Sequence, residues 1–454
     1  MRENRNAARM ARQQQAKSPA ALHYSQVPGA TDMAGYAPFY ENITKAAMQR
    51  RASSAPLMVV EAGVRHGCSA RIFLEALQDC DDWQLHLIDP VPRAEALALK
   101  CNTHVTFHQQ EAHRVAPTFA DASVDVLHLD VDYDDTHPYE LTFQILLAFW
   151  HKLKPDADLI FHDCTDRFPG IKRLVSELEQ SGWTMTYCDP ARQCPIAAPA
   201  HARRDPNYSP AALDMTVVVP VVQDKFLDSL LSDISQNDIK PSEIIVIDNS
   251  GGQAKAVCDR FSNLPIRYLP QRSNIGVNAA WNLGVAEAKT ELVSILNDDL
   301  VLPWDFFRSI QQTFAVFPRA GFIIPATIGP TLPGGRAPWI IGKPEDVNRT
   351  RADAPLPMPS VVSLEVRTGG WAMTVRKSLW TPIPESMFTF CGDDFIFRRI
   401  KDQGFWTLMA RNNKLFHYVG ISLDLKQRVK LNLPELARDQ RAWRRIQAKN
   451  KRSS

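Results

Sequence analysis

The stretch Leu292-Val293-Ser294-Ile295-Leu296-Asn297-Asp298-Asp299 constrains the fold more than any other part of this chain. Five residues compatible with a buried strand end abruptly in an amide and two carboxylates. Such a run reads as an interior strand that delivers polar groups to the carboxyl edge of a sheet. Open α/β sheets bind ligands at that edge. Adjacent carboxylates there suit a hard divalent cation, which keeps several waters and shares itself with substrate phosphates. A solvated turn after a core strand fits the same residues, so the rest of the chain has to decide.

With 454 residues the chain exceeds one ordinary core, and two or three domains are expected. Hydrophobic residues make up 45% and charged residues 22%, the balance of a soluble globular protein. A net charge of +2 gives no reason to expect a nucleic-acid partner. The eight cysteines are scattered, with no pair at C-x-x-C spacing, which argues against a zinc site or a disulfide framework. No run approaches the roughly 18 apolar residues of a membrane span, and the N-terminus lacks the apolar core of a signal peptide. A cytoplasmic enzyme is the working expectation.

Residues 1–35, with Arg2, Arg5, Arg9 and Arg12, read as a flexible basic arm, and residues 36–52 as a helix leading into a first domain, 36–190. That domain opens on the apolar run Leu57-Met58-Val59-Val60, which ends in Glu61; Gly63 and Gly67 follow before a helix from Ser69. The glycines allow a tight strand-to-helix turn and close approach of a ligand. A second strand ends in Asp89, an acid suited to ribose hydroxyls. Later strands end in Asp130-Val131-Asp132 and in His162-Asp163. Strands alternating with helices make a doubly wound sheet.

Glu61-x-Gly63-x-x-x-Gly67, Asp89, Leu129-Asp130-x-Asp132 and Phe161-His162-Asp163 resemble the class I S-adenosylmethionine methyltransferases, in the branch of small-molecule and sugar O-methyltransferases. The resemblance covers about residues 55–190. It implies that Glu61, Gly63 and Gly67 line the methionine and ribose part of S-adenosyl-L-methionine, with Asp89 on the ribose. It also implies Asp130 and Asp163 as ligands of Mg²⁺ and Asp132 as the base that deprotonates a sugar hydroxyl. The chain departs from that pattern in carrying His162-Asp163 where those enzymes have paired acids. His128 and His162 themselves read as satisfied residues at strand edges. A cap of the next helix accounts for Asp130 and Asp132 as well, and a non-catalytic version of the fold stays open.

Residues 191–213, rich in proline and alanine without a period, read as a linker. The α/β pattern then restarts at Met215–Pro220 and continues through Glu243–Asp248, a weaker strand near Ile266, and a loop–helix at Asn274-Ile275-Gly276 that leads to the opening strand. Val219-Pro220, Val246-Ile247-Asp248, Asn274-x-Gly276 with Asn282-x-Gly284, and Asn297-Asp298-Asp299 resemble, in that order, family 2 glycosyltransferases of the GT-A fold. Gly369-Gly370-Trp371, Gly392-Asp393-Asp394 and His417 extend the resemblance over a domain spanning 214–424.

The resemblance implies a role for each motif. Pro220, Asp248, Asn274 and Asn297 would hold a nucleotide-diphosphate sugar, with Asp248 accepting from the imide of a uracil or thymine base. Asp299 and His417 would bind Mn²⁺ or Mg²⁺. Asp394 would be the base that activates the acceptor hydroxyl for inverting, single-displacement attack. Asn297 replaces the first acid of the usual D-x-D, Asp393 stands where Glu is usual, and Asp298 is read as facing solvent.

Residues 325–360, with eight prolines, read as a long loop, either an acceptor lid or a plain insertion. The tail 425–454 has ten Lys or Arg against two acids, which fits a solvated terminal helix or a peripheral contact with anionic lipid at the inner face of a membrane. The whole reads as an α/β protein of two Rossmann-like domains, a class I methyltransferase fold followed by a GT-A glycosyltransferase fold. It would act on a UDP- or dTDP-sugar and a saccharide or glycolipid acceptor in polysaccharide or glycoconjugate synthesis. Glycosyl transfer with a non-catalytic first domain is the alternative.

Overall fold

The computed structural model describes residues 23–27, 33–51, 55–131, 138–179, 183–188, 199–204, 213–329, 339–350, 359–364, 370–418 and 425–453. The chain divides into two compact units, residues 1–209 and 210–454.

The first unit is a single sheet flanked by helices. Its strands are β1 (Leu57–Ala62), β2 (Trp83–Ile88), β3 (Val105–His108), β4 (Val124–Leu129), β5 (Leu153–Phe161), β6 (Trp183–Tyr187) and β7 (Ala200–Arg204). They lie in the order β3-β2-β1-β4-β5-β7-β6. The first five run parallel, and β7 is antiparallel to both of its neighbours. The strand order reverses between β1 and β4, which opens a crevice at their carboxyl ends. Helices α1 (Ala37–Arg50) and α2 (Cys68–Ala76) close one face. Tyr36, Tyr40, Ile72 and Phe73 share a core with Leu57, Val59, Leu85 and Leu87. Apolar strands buried on both faces are what a parallel sheet covered by helices demands. Helices α3 (Pro138–Phe149) and α4 (Pro169–Glu179) complete the unit.

Two boundaries differ from the sequence reading. Within the supposed arm, Val27 is buried and the Cys68 thiol lies 3.4 Å from the Tyr24 carbonyl, so residues 23–27 belong to the first unit. Within the supposed linker, Ala200–Arg204 is strand β7, paired to β5 from Phe161↔Ala200 to Asp158↔Arg203. A short strand such as Ala-His-Ala-Arg-Arg, with only two small apolar residues, shows no alternation strong enough to be read ahead of its partner.

The second unit is built on β8 (Met215–Val221), β9 (Glu243–Asp248), β10 (Ile266–Pro270), β11 (Leu292–Leu296), β12 (Leu300–Val301), β13 (Ala320–Gly329), β14 (Trp339–Ile341), β15 (Val361–Ser363), β16 (Ala372–Arg376) and β17 (Trp406–His417). The order is β10-β9-β8-β11-β16-β13-β17-β12, with β14 beside β13 and β15 beside β17. The segment β10-β9-β8-β11 is parallel and reverses its order between β8 and β11, as in the first unit. Strand β16 is antiparallel to β11, so its first residue, Ala372, lies beside Leu296 at the carboxyl edge and the strand runs away from it. Helices α5 (Leu227–Gln236), α6 (Lys255–Arg260), α7 (Val277–Glu287), α8 (Phe306–Val316) and α9 (Gly392–Asp402) flank this sheet. Gly284 lets α7 lie directly on β8, since a Cβ there would collide with the Val218 side chain.

The proline-rich stretch is not one loop. Its beginning, Pro325–Gly329, completes β13, and Trp339–Ile341 pairs alongside as β14, while 330–338 and 351–358 lie outside the described residues. The C-terminal helix α10 (Leu425–Ser453) is only partly solvated. Ala442, Trp443 and Ile446 pack on the core around α7 and α9, whereas Arg438, Arg441, Arg444 and Arg445 are exposed. Among the described residues no helix is long and apolar enough to cross a membrane.

Candidate functional site

At the reversal point of the first sheet, Glu61 ends β1 and the chain turns through Gly63 (φ +86°) and Gly67 (φ +76°) into α2. Only glycine adopts these angles freely, and a Cβ on Gly63 would also collide with the Asp130 carbonyl on β4's end. Two buried ions hold the turn. Asp89 accepts from the amides of Val64 (2.9 Å) and Arg65 (2.8 Å), and from Val91 in its own turn (2.7 Å). Arg71 donates to the carbonyls of Gly67 (2.9 Å) and Glu95 (2.8 Å). The carboxylate of Asp89 is fully buried and aimed at backbone amides, not at the crevice. These bonds shape the glycine turn.

Glu61 also points inward. It is fully buried, accepts from the Ser69 hydroxyl, and lies 3.5 Å from His128 Nδ1; Tyr40 on α1 sits behind that histidine, its hydroxyl 3.4 Å from Nε2. Burial raises the Glu61 carboxyl above its ordinary range, against the lowering effect of His128 and Ser69.

Strands β4 and β5 end side by side at Leu129 and Phe161, so Asp130 and His162 emerge together. Asp163 follows with φ +58°, a left-handed angle rare outside glycine, which turns its carboxylate back toward them. His162 Nδ1 is 3.1 Å from Asp163 and 3.5 Å from Asp130, and the three donor sets fall within 4.8 Å of one another. Neither ring nitrogen of the buried His162 makes an aligned hydrogen bond. Burial pushes the imidazole down, but the two carboxylates outweigh it and hold it well above its usual value. Two carboxylates and a buried imidazole within 4.8 Å of one another fit a divalent cation, with the nitrogen favouring ions such as Mn²⁺ or Zn²⁺ over Mg²⁺. His162 is thus part of the cluster, not a satisfied edge residue; nothing in its sequence neighbourhood except the adjacent Asp163 signals this. Asp132 lies outside the described residues.

The second site is assembled at the carboxyl edge of β8, β9 and β11. The Val221 carbonyl accepts from Asn249 (2.7 Å), so Pro220, one residue earlier, turns its amide-less edge toward β11, whose pairing with β8 has already stopped at Val218. Asp248 ends β9 fully buried. One oxygen receives the Ser250 amide (2.7 Å) and hydroxyl; the other receives the Tyr268 hydroxyl (2.6 Å) and the Ala254 amide (3.3 Å). Burial would raise this carboxyl, yet these bonds hold it below the ordinary aspartate value. All four lone-pair positions are used inside the protein, so a nucleobase imide can reach Asp248 only by displacing a donor.

Exposed Asn274 accepts the Gly276 amide (2.9 Å) in a turn that opens α7. Gly276 (φ +86°) abuts the Phe388 carbonyl, which a Cβ would meet at 2.6 Å. From α7, Asn278 donates to the carbonyls of Met387 (3.1 Å) and Phe390 (3.2 Å), and Asn282 to Ile383 (2.8 Å). These asparagines bind the segment ahead of α9 to α7 and its opening turn.

Asn297 follows β11, its amide donating to the Trp371 carbonyl (2.8 Å). Trp371 stacks on His417 with ring centroids 5.1 Å apart. The pairing Leu300↔His417 brings the histidine to Asp299, with Nε2 3.2 Å from Oδ1, and that buried oxygen has no aligned hydrogen bond. The two atoms are close enough to share a divalent cation or to form an ion pair. Asp298 is half-buried, not turned to solvent as expected, and burial together with the charge of Asp299 pushes its carboxyl up to about 7. Asp393 and Asp394 stand in the first turn of α9, where Asp393 accepts the Asp394 amide (3.0 Å). Asp393 also packs against Gly370, which links α9 to Trp371.

Two sheets, each with polar groups converging where the strand order reverses, define a chain of two ligand-binding α/β domains. Residues 60–164 match a family described as Methyltransferase domain, and residues 216–380 match Glycosyl transferase family 2. The chain therefore joins a methyltransferase-like domain to a family 2 glycosyltransferase domain. A protein of Bacillus subtilis (strain 168) named Uncharacterized glycosyltransferase YwdF is 35% identical over 81 residues, 18% of this chain and 28% of that one. Similar solved structures include GalNAc-T7 with UDP, GalNAc and Mn²⁺ (TM-score 0.37, 13% identity, 46% of this chain and 44% of that chain). Another is the mannosyltransferase PcManGT from Pyrobaculum calidifontis in complex with GDP-Man and Mn²⁺ (TM-score 0.35, 15% identity, 47% and 60%). The match thus spans less than two thirds of each relative's own length.

Proposed function

We propose that the second unit is an inverting, metal-dependent glycosyltransferase using a UDP- or dTDP-sugar. The observation that carries this reading is the buried Asp299–His417 pair, 3.2 Å apart where the segment after β11 meets the end of β17. A Mn²⁺ or Mg²⁺ ion held there would neutralise the charge that develops on the leaving diphosphate. Pro220, Asp248 and Asn274 frame the nucleotide side, with Tyr268 as the donor that a base imide would replace on Asp248. Asn297 stands between that side and the metal pair. Asp394 accepts the proton of the acceptor hydroxyl as it attacks the anomeric carbon in a single displacement. The test is donor hydrolysis or transfer by the purified chain across UDP- and dTDP-sugars, with and without Mn²⁺. Absence of turnover and of nucleotide-sugar binding in every case overturns the reading.

For the first unit we infer S-adenosyl-L-methionine-dependent O-methylation of a saccharide hydroxyl. Support comes from the Gly63–Gly67 turn and from the Asp130–His162–Asp163 cluster, with Asp132 as the base. One observation favours the alternative of a non-catalytic binding or scaffolding domain: Glu61 and Asp89, the acids expected on the cofactor, are fully buried and bonded within the protein. Calorimetric titration of the chain with S-adenosyl-L-methionine, followed by a methyl-transfer assay on saccharide acceptors, separates the two. Binding without transfer supports the non-catalytic reading. The setting proposed is surface polysaccharide or glycoconjugate synthesis, by analogy of fold. The exposed arginines of α10 would lie against anionic lipid, which vesicle co-sedimentation tests.

A further inference from the structure

The C-terminal helix does more than cover the core. Asp439 on α10 is fully buried although it belongs to a strongly basic segment. Its Oδ2 accepts from three successive backbone amides, those of Phe388 (3.1 Å), Thr389 (2.8 Å) and Phe390 (2.9 Å). Consecutive amides converging on one point form an anion nest, and the nest is filled by a side chain from α10. Around it, Glu435 accepts the Thr389 hydroxyl (3.1 Å), and the Arg438 guanidinium lies over the Phe388 ring at 5.5 Å. Asn278 of α7 donates to the Met387 and Phe390 carbonyls of the same turn. The 387–390 backbone is therefore held both by α7, through its carbonyls, and by α10, through its amides.

That turn leads through Cys391, itself at φ +62°, into the first turn of α9, where Asp394 stands. Just beyond Asp394, Phe395 packs edge-on against Trp443 of α10, with ring centroids 6.0 Å apart. The C-terminal helix thus grips the chain immediately before and immediately after the proposed base.

We propose that Asp439 is a positioning residue for Asp394: filling the amide nest at 388–390 fixes the turn that aims the base at the acceptor hydroxyl. This rests on the glycosyltransferase reading of the second unit. A general base misplaced by about 1 Å loses on the order of 10²-fold in rate, while the donor, held by the β8, β9 and β11 edge, still binds.

The test uses the full chain with Asp439→Asn, Asp439→Ala and, at an exposed position of the same helix, Gln447→Ala. Turnover, nucleotide affinity with Mn²⁺ and amide hydrogen exchange over 388–396 are measured for each. The expected result for Asp439→Ala is a loss of kcat of roughly 10- to 100-fold with donor KM and nucleotide Kd within about threefold. Faster exchange should be confined to 388–396. Asp439→Asn, which keeps an acceptor oxygen without the charge, should fall between, and Gln447→Ala should match wild type. An active wild type whose Asp439→Ala variant keeps its kcat, or loses donor affinity in step with kcat, overturns the inference alone. A wild type without donor turnover overturns the glycosyltransferase reading and the role of Asp439 with it.

Discussion

The Asp393 carboxylate occupies the space in which a side chain on Gly370 would stand. This contact joins the start of α9 to the segment that carries Trp371, and Trp371 in turn leans on the metal-pair residue His417. The proposed base and the proposed metal site are thus linked through one glycine. Gly370→Ala must expel the buried Asp393 side chain or shift the first turn of α9. We expect a stability cost of about 1–3 kcal/mol, typical of overpacking a closed site. Turnover should fall on the order of 10²-fold, because residue 394 moves with 393. Thermal unfolding and donor turnover measure the two effects; an alanine variant with wild-type turnover would show the contact to be incidental.

Removing a ligand from the Asp299–His417 pair should act on metal affinity before it acts on fold. Asp299→Asn keeps the shape and takes away the charge, so the Mn²⁺ concentration for half-maximal turnover should rise at least about tenfold. Nucleotide affinity without metal should stay unchanged. His417→Gln should act in the same direction but also lose the stacking on Trp371. Metal titrations of turnover read both, and identical curves for wild type and Asp299→Asn would move the metal elsewhere.

What was legible in the sequence followed from how local each signal is. Strand β11 and its polar end are contiguous; β1, β4 and β9 likewise announce themselves as apolar runs ending in acids, and β8 as an apolar run interrupted by Pro220. Burial is different, because it depends on partners far along the chain. Asp89 and Asp248 stand where the motifs place them, yet both carboxylates are consumed by the turns they belong to. His162 joins Asp130 only because β4 and β5 pair in register. Asp439 sits in a run of arginines and lysines, so its burial was hidden by the charge around it. Strand β7 was read as linker since its five residues gain stability only between β5 and β6.

The histidine pair between β2 and β3 gives the first unit a pH dependence of definite sign. His86 Nδ1 and His108 Nε2 are 3.0 Å apart, and burial with the neighbouring ring pushes His86 down to about 4. Burial lowers His108 as well. In the unfolded chain both titrate near about 6.5. Between about 6.5 and 4 the unfolded state therefore binds protons that the folded state refuses, and stability falls as pH drops through that window. Above it the pair has no effect. Allowing for the partial exposure of the rings, the loss should be about 1–2 kcal/mol. His86→Gln should flatten the dependence, which denaturation of the first unit at several pH values between 7.5 and 4.5 would reveal; an unchanged slope assigns the effect to other groups.

The cluster Asp130–His162–Asp163 differs from an all-carboxylate site by one ligand, and that ligand should set its metal preference. Imidazole binds Mn²⁺ or Zn²⁺ more readily than Mg²⁺, whose demand is for oxygen. To separate this site from the one in the second unit, the measurement is best made in an Asp299→Ala chain, where calorimetry reports on the first unit. There we expect binding of Mn²⁺ at least about tenfold tighter than Mg²⁺. His162→Asp should narrow that gap by improving Mg²⁺ affinity, and His162→Ala should weaken Mn²⁺ by about 10- to 100-fold. The competing arrangement is metal-free: a protonated His162 would itself neutralise the two carboxylates, which its raised pKa allows. In that case the Asp299→Ala chain binds no divalent ion, and His162→Ala leaves two close carboxylates without a counter-charge. The first unit should then lose stability above the carboxylate pKa range and regain it on acidification. The two arrangements thus predict opposite roles for the same nitrogen, as a ligand in one and as a cation in the other.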